Sequence, residues 1–284
     1  MRKLLKIADI FIDFTYNYDE YFKDTLDKYE VEDESKDYHK IIIKVEKDIE
    51  IPKREKTLIY KNRYKMENEE DTFIISETPK GVKHKIYFTN DYKLIKITIN
   101  ELLKDRLAEF EYVLSGMMFF EVAAKLKYLP VHASCIFLKG KTFLLSGPSR
   151  AGKSTQTKYF VNAFSESKVI NEDKPIIFYR NKKVYVSGTP WSGKDVINTN
   201  IIKPLDYIFF LEQGNETSIV SLTKEEKIKA LFRNIHRPSD SLLVDNTFEI
   251  INKLIDLTPM YKYVTVNNES SSKELYRFIE EGIL

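Results

Sequence analysis

The chain has 284 residues, 43% of them hydrophobic and 31% charged, a composition of folded rather than disordered chains and long enough for one large domain or two ordinary ones. A net charge of +2 supplies no whole-protein attraction to nucleic acid or to an anionic membrane, so neither is expected as a partner. The single cysteine, Cys135, rules out an internal disulfide and points to a reducing, cytoplasmic setting.

The N-terminus opens with Arg2 and Lys3 ahead of apolar residues. Lys6, Asp9 and Asp13 break that run before signal-peptide length, and no small-residue cleavage site follows. Residues 1–102 read as a smaller, β-rich N-terminal domain. Ile7 to Phe14 alternates between apolar and other residues, and His39 to Val45, Thr72 to Ser76, His84 to Thr89 and Lys93 to Ile99 look like further strands. Tyr21 to Tyr29 is predicted as a helix, with loops at Glu32 to Asp37 and Asn68 to Asp71. No repeat or low-complexity tract occurs.

Between Asn100 and Leu126, apolar residues from Leu102 to Leu126 recur at helical spacing and predict one long or two short buried helices, ended by Pro130. Gly116 to Leu126 contains Glu121 and Lys125 and falls far short of the ~20 apolar residues that cross a bilayer. These helices lead into a second domain, residues 103–284, with the rhythm of an α/β fold. Ser134 to Leu138 and Thr142 to Leu145 form a hairpin turned at Lys139-Gly140, and Lys153 to Phe164 is a helix. Short strands are expected at Val169–Ile170, Ile176–Tyr179, Val184–Val186 and Leu205–Leu211. Helices at Lys224–Asn234 and Asn246–Leu257, a strand at Tyr261–Val266 and a helix at Ser272–Glu281 complete the chain.

Glycine is scarce, with nine in the chain against an average usage of roughly 7%. Gly140, Gly147, Gly152, Gly188 and Gly193 concentrate between about residues 130 and 200, where backbone must turn tightly or approach a ligand closely. Gly147-Pro148-Ser149-Arg150-Ala151-Gly152-Lys153-Ser154 fits the phosphate-loop pattern G-x-x-x-x-G-K-[S/T], with a strand leading in and a helix leading out. Backbone N–H groups of Gly147 and of Ser149 through Thr155 can converge on phosphate oxygens, aided by the helix dipole. Lys153 would reach the β- and γ-phosphates, and the Ser154 hydroxyl would coordinate Mg²⁺. The expected cofactors are therefore ATP, or another nucleoside triphosphate, and Mg²⁺.

Glu172 and Asp173 follow at a predicted strand end. Adjacent carboxylates there can divide two tasks: Asp173 in the Mg²⁺ shell, and a partner taking a proton from an attacking hydroxyl. Glu-Asp is also a commonplace solvated dipeptide, and His132, in Val131-His132-Ala133-Ser134, is by position alone as compatible with a packed strand histidine as with a catalyst.

Taken together, His132, the loop from Gly147 to Ser154 and the Glu172-Asp173 pair resemble the catalytic domain of HPr kinase/phosphorylase, whose nucleotide-binding core is shared with phosphoenolpyruvate carboxykinases. The resemblance covers about residues 130 to 215. It implies a P-loop-containing HPr kinase/carboxykinase-like core, with His132 near the catalytic base, Glu172 as that base, and Asp173 as the second acid. Gly188-Thr189-Pro190-Trp191-Ser192-Gly193-Lys194 looks like a segment of small HPr-kinase-like proteins, including those that phosphorylate a serine of ribosomally made peptide precursors. That implies a peptide or protein serine as acceptor and a cationic role for Lys194. Arg233 offers a further cation for a transferring phosphoryl group, although basic residues at helix C-termini are common for dipole reasons alone.

The chain departs from the family at Glu172, where an aspartate is usual, and at Arg150, where glycine is frequent. The segment tied to phosphorolysis is not found, and the N-terminal hundred residues do not resemble the HPr enzyme's own. The expected activity is thus transfer of the γ-phosphoryl group to a hydroxyl, with the N-terminal domain free to dock the acceptor and a homo-oligomer left open. A metabolite kinase or carboxykinase-like enzyme, or a nucleotide switch without transfer, are the alternatives. The absence of His-Arg-Asp and Asp-Phe-Gly segments excludes a eukaryotic-type protein kinase.

Overall fold

The computed structural model describes residues 1–148, 150–192, 197–238, 240, 243–266 and 268–281. The chain divides into two compact units, Met1–Lys125 and Leu126–Leu284. Five α-helices and three sheets make up the described residues, an α/β architecture. None of those helices is long and apolar enough to cross a membrane.

The N-terminal unit is built on an eight-stranded mixed sheet. Its strands are β1 (Arg2–Ile7), β2 (Ile10–Thr15), β3 (His39–Glu46), β4 (Thr57–Tyr60), β5 (Arg63–Glu67), β6 (Asp71–Thr78), β7 (Gly81–Thr89) and β8 (Leu94–Asn100), in the order β1-β2-β3-β8-β7-β6-β5-β4. Alternation along the strands turns Ile41, Ile43, Ile86, Phe88, Ile95 and Ile97 inward. Helix α1 (Leu107–Lys125) packs on β3 and β8.

Three sequence expectations change here. Ile7 to Phe14 is not one strand, because Ala8, at φ 53°, turns the chain between β1 and β2 and sets Ile7 opposite Ile10. Tyr21 to Tyr29 yields only a 3₁₀ turn at Leu26–Tyr29. Asp24 stands at φ 63°, a left-handed conformation that a helix interior does not accept. Of the residues expected to be buried from Asn100 to Leu126, Leu102, Val113 and Leu126 are exposed. A 3₁₀ segment (Glu101–Arg106) kinked at Lys104 precedes the single α-helix.

The C-terminal unit has a six-stranded sheet, in the order β12-β10-β11-β16-β18-β17. Its members are β10 (Ala133–Leu138), β11 (Lys141–Ser146), β12 (Lys168–Asn171), β16 (Tyr207–Gln213), β17 (Ser218–Ser221) and β18 (Met260–Thr265). Strands β11, β16 and β18 run parallel at its centre, and being covered on both faces they read as apolar runs. Phe143, Leu145, Phe209, Leu211, Tyr261 and Tyr263 face α2 (Lys153–Ala163) and α5 (Glu269–Glu281), where Phe160, Leu275 and Ile279 close one core. Leu144, Ile208, Phe210 and Met260 face the other way. There they meet α3 (Lys224–Asn234), α4 (Val244–Leu257) and the small antiparallel sheet of β9 (Tyr128–Pro130), β13 (Ile176–Arg180), β14 (Lys183–Ser187) and β15 (Ile202–Pro204).

Local chemistry accounts for several of these elements. The β10–β11 hairpin turns at Lys139 and Gly140, φ 46° and 84°, the mirror-image turn that matches strand twist. Helix α3 begins with a capping box, in which Thr223 Oγ1 accepts from Glu226 N–H and Glu226 Oε2 accepts from Thr223 N–H. Sequence reading missed β4, β5, β9, β15 and β17, and of β1 it reached only Ile7. Strands β4 and β17 are mostly exposed, β9 and β15 have three residues each, and β5 buries only Met66, so none shows an alternating buried face.

Candidate functional site

Strand β11 leads through Gly147 into α2, placing the loop in the crevice beyond the carboxyl ends of the parallel strands, where open α/β sheets receive ligands. Gly147 leaves little room for a side chain. A Cβ there would lie 3.2 Å from both the Ala151 Cβ and the Leu211 carbonyl oxygen. Gly152, at φ 96°, is the N-cap of α2 and brings no capping side chain, so the first N–H groups of the helix remain available to an anion. Arg150 also takes a left-handed φ of 68°. Its carbonyl receives the Gln213 amide at 3.3 Å.

Lys153 is buried, and its Nζ donates to the carbonyls of Gly147 at 2.8 Å and Pro148 at 3.2 Å, folding back over the loop it belongs to. Burial lowers its pKa, against the pull of Asp173, which favours the charged form. Ser154 is exposed at the start of α2, Thr155 is half-buried and Ala151 is buried. Ser149 lies outside the described residues.

The two carboxylates emerge at the end of β12. Asn171 Oδ1 accepts from the N–H groups of Asp173 at 2.9 Å and Lys174 at 2.7 Å, folding Asn171–Lys174 into a side-chain-capped turn. The Asn171 amide in turn donates to the Thr189 carbonyl at 2.9 Å, and Thr189 Oγ1 donates to the Lys174 carbonyl at 2.8 Å. The Gly188–Trp191 stretch is thus the brace of the acidic turn, with Trp191 buried. Gly193 and Lys194 lie outside the described residues.

His132 meets this turn from the neighbouring strand end. Its Nε2 lies 3.0 Å from Asp173 Oδ1, and both side chains keep 31% exposure. Burial works to raise the Asp173 pKa, but the His132 hydrogen bond and the charges of Lys174 and Lys153 outweigh it and hold the carboxyl below its ordinary value. Asp173 is therefore ionised. Glu172 is buried, its carbonyl accepting from Ser134 Oγ at 2.9 Å and its N–H donating to Ile197.

The His132 backbone is fixed on both sides: its N–H donates to the Asn234 carbonyl at 2.6 Å, and its carbonyl accepts from Ser146 Oγ at 3.0 Å. The C-terminus of α3 therefore abuts the histidine. Arg233 is exposed there, and no ion pair among the described residues joins it to the acidic turn.

His132, Asp173 and Lys153 thus share one electrostatic neighbourhood, with Glu172 adjoining it and Ser154 at the mouth of the loop. Sequence reading missed Asn171, Ser134, Ser146 and Lys174. Of these Asn171 carried a usable signal, an asparagine ahead of two acids being a strong turn former.

The donor chemistry suits Mg²⁺. An exposed serine hydroxyl and an ionised aspartate are hard oxygen ligands, and Mg²⁺ is usually held by one or two protein oxygens together with phosphates and water. Among the described residues no group of three His, Cys, Asp or Glu side chains could hold a metal alone, so any such ion would depend on ligands the nucleotide brings.

No family model matches the chain, and no curated protein is similar to it in sequence. Among solved structures, the Hpr(Ser) kinase/phosphatase from Coxiella burnetii aligns over 54% of this chain and 99% of its own, at 13% identity and a TM-score of 0.29. A likeness this distant carries no weight for fold or function.

Proposed function

We propose that the C-terminal unit has a P-loop core that binds ATP, or another nucleoside triphosphate, with Mg²⁺ and transfers the γ-phosphoryl group to a hydroxyl, a serine of a peptide or protein. The observation that carries the reading is the Lys153–Asp173–His132 constellation at the end of a phosphate-loop motif. Phosphoryl transfer asks a protein mainly to position reactants and neutralise charge. A loop with free helix N–H groups and a buried lysine does the first part.

Asp173 and Glu172 divide the rest. Asp173, kept ionised by His132 and two lysines, is a poor proton acceptor and a good metal ligand; Ser154 is its partner in that role. Glu172 is left as the base. The acceptor oxygen attacks the γ-phosphorus in line as its proton passes to the Glu172 carboxylate, the bond from the γ-phosphorus to the bridging oxygen breaks, and the nucleoside diphosphate leaves. Mg²⁺, when bound, supplies neutralisation of the phosphate charge. Arg233 and Lys194 are proposed as further cations toward the transferring group.

The test is transfer of label from γ-labelled ATP to serine peptides by the wild-type protein, Lys153→Ala and Asp173→Asn. Label on an acceptor that both substitutions remove supports the kinase reading. Nucleotide binding with no transfer to any acceptor would reduce the protein to a nucleotide switch, and no binding at all would refute the proposal.

A further inference from the structure

Strand β4 ends the N-terminal sheet, and its outer edge pairs with no strand among the described residues. All four of its residues are exposed, and three are large and apolar: Leu58 at 59%, Ile59 at 42% and Tyr60 at 63%. Folded proteins rarely leave an edge in this state, because unpaired N–H and C=O groups flanked by apolar side chains recruit another strand. The opposite edge of the same sheet is covered. Val31 N–H donates to the Leu4 carbonyl at 2.8 Å, and Leu5 bridges Glu30.

The surroundings of β4 are basic. Lys53, Arg54, Lys56, Lys61, Arg63 and Lys65 flank the strand against Glu55. Arg54 pairs with Asp71, Lys56 with Glu77 and Lys65 with Glu67, while Lys53, Lys61 and Arg63 form no ion pair among the described residues. From this edge and its charge we infer that β4 docks an extended peptide segment bearing alternate apolar residues and flanking carboxylates, by strand addition to the sheet. Main-chain hydrogen bonds would hold it in register, Leu58 and Tyr60 would meet its apolar residues, and Lys61 and Arg63 its acids.

Charge decides between this occupant and a second copy of the chain. Two β4 strands paired antiparallel about Leu58 and Ile59 would bring the Lys56 end of each to the Lys61 end of the other, a like-charge contact that disfavours pairing. A bilayer fits poorly as well, since inserting β4 would strand its unpaired backbone groups in hydrocarbon, where no water can satisfy them. The inference is independent of whether the C-terminal unit transfers phosphate.

The experiment is selection of a displayed random decapeptide library on the full-length protein without nucleotide. Synthesis and fluorescence anisotropy of the enriched peptides then follow. Expected are sequences alternating apolar and acidic residues, whose affinity falls at least tenfold on Lys61→Glu/Arg63→Glu. An equal or larger loss is expected when alternate amides of the peptide are N-methylated, which tests strand addition without altering the protein. No enrichment, enriched peptides without acids, or unchanged affinity after N-methylation would each overturn the inference. So would tighter binding to phosphatidylserine vesicles or to an oligonucleotide than to any selected peptide, or dimerisation that Leu58→Asp abolishes.

Discussion

The two units bury polar groups in different ways. In the N-terminal unit, His39 faces the Tyr92 carbonyl at 2.8 Å, and Glu111, on α1, accepts from the Asn17 and Tyr18 N–H groups and the Asn17 amide at 2.9 to 3.0 Å. His84 is almost wholly enclosed. These groups sit singly, each tied to its own stretch of core. In the C-terminal unit Ser134, Ser146, Lys153, Asn171, Glu172 and Thr189 are all buried and crowd one end of the sheet. Several of them bond backbone that carries His132 and Asp173, the pair left partly open to solvent. Burial of a polar group by itself therefore says little about function; convergence on an accessible, charged neighbour is what separates a site from a tie in the core.

Substitutions that split activity from stability test this contrast. The largest effect is expected at the acidic turn. Glu172→Gln and Asp173→Asn keep the shape and remove a carboxylate, and each should lower phosphoryl transfer by about 10²- to 10⁴-fold while melting within a few degrees of wild type; a parallel collapse of the fold would make the pair structural. Lys153→Ala should cost transfer about 10²- to 10³-fold. It should also abolish the rise in melting temperature expected of the parent protein with Mg-ATP, a readout by thermal shift that needs no acceptor.

His84 gives the opposite pattern. Burial, with Arg63 and Lys83 adding to it, lowers its pKa from 6.5 to about 4. The folded protein keeps this ring neutral in a range where the unfolded chain already binds a proton. The resulting stability is complete above about pH 6.5 and is lost as the pH falls through about 4. At ~1.36 kcal/mol per pH unit the loss is on the order of 3 kcal/mol. Denaturant titrations from pH 7 to pH 4 should show this slope diminished in His84→Leu, with nucleotide binding at pH 7 unchanged.

Asn171→Ala lies between the two patterns. Removing the turn cap leaves the Asp173 and Lys174 N–H groups without their acceptor, at about 1–3 kcal/mol, and loosens the carboxylate His132 holds. A small stability loss accompanied by a larger drop in kcat than in nucleotide affinity is expected. Equal losses in both would make Asn171 a fold residue only.

Much of the C-terminal fold was legible. The β10–β11 hairpin, α2, α3 and the apolar β16 announce themselves through turn glycine, capping Thr223 and continuous hydrophobic runs, all signals carried within a few residues. The N-terminal unit was less so. Ile7-Ala8-Asp9-Ile10 contains the evidence for a turn, since Ile7 and Ile10 are both buried and a continuous strand would put residues three apart on opposite faces. The alternation on either side of the slip masks it. Strand β4 is four residues long, fully exposed and flanked by charged segments, and β5 alternates charged residues with Tyr64 and Met66, so neither showed a buried face that would set it apart from loop.

What the sequence by itself determined was the α/β order and the presence of a phosphate-loop motif, because periodicity, turn chemistry and motif spacing act along the chain. Only the tertiary structure decided that His132 meets Asp173, that Lys153 lies within their field, and that Asn171 and Thr189 brace the acidic turn. It also decided that β4 stands at an edge while β1 is covered. Those facts depend on which strands become neighbours in a sheet, and pairing is settled by burial and register across long separations that no local pattern encodes.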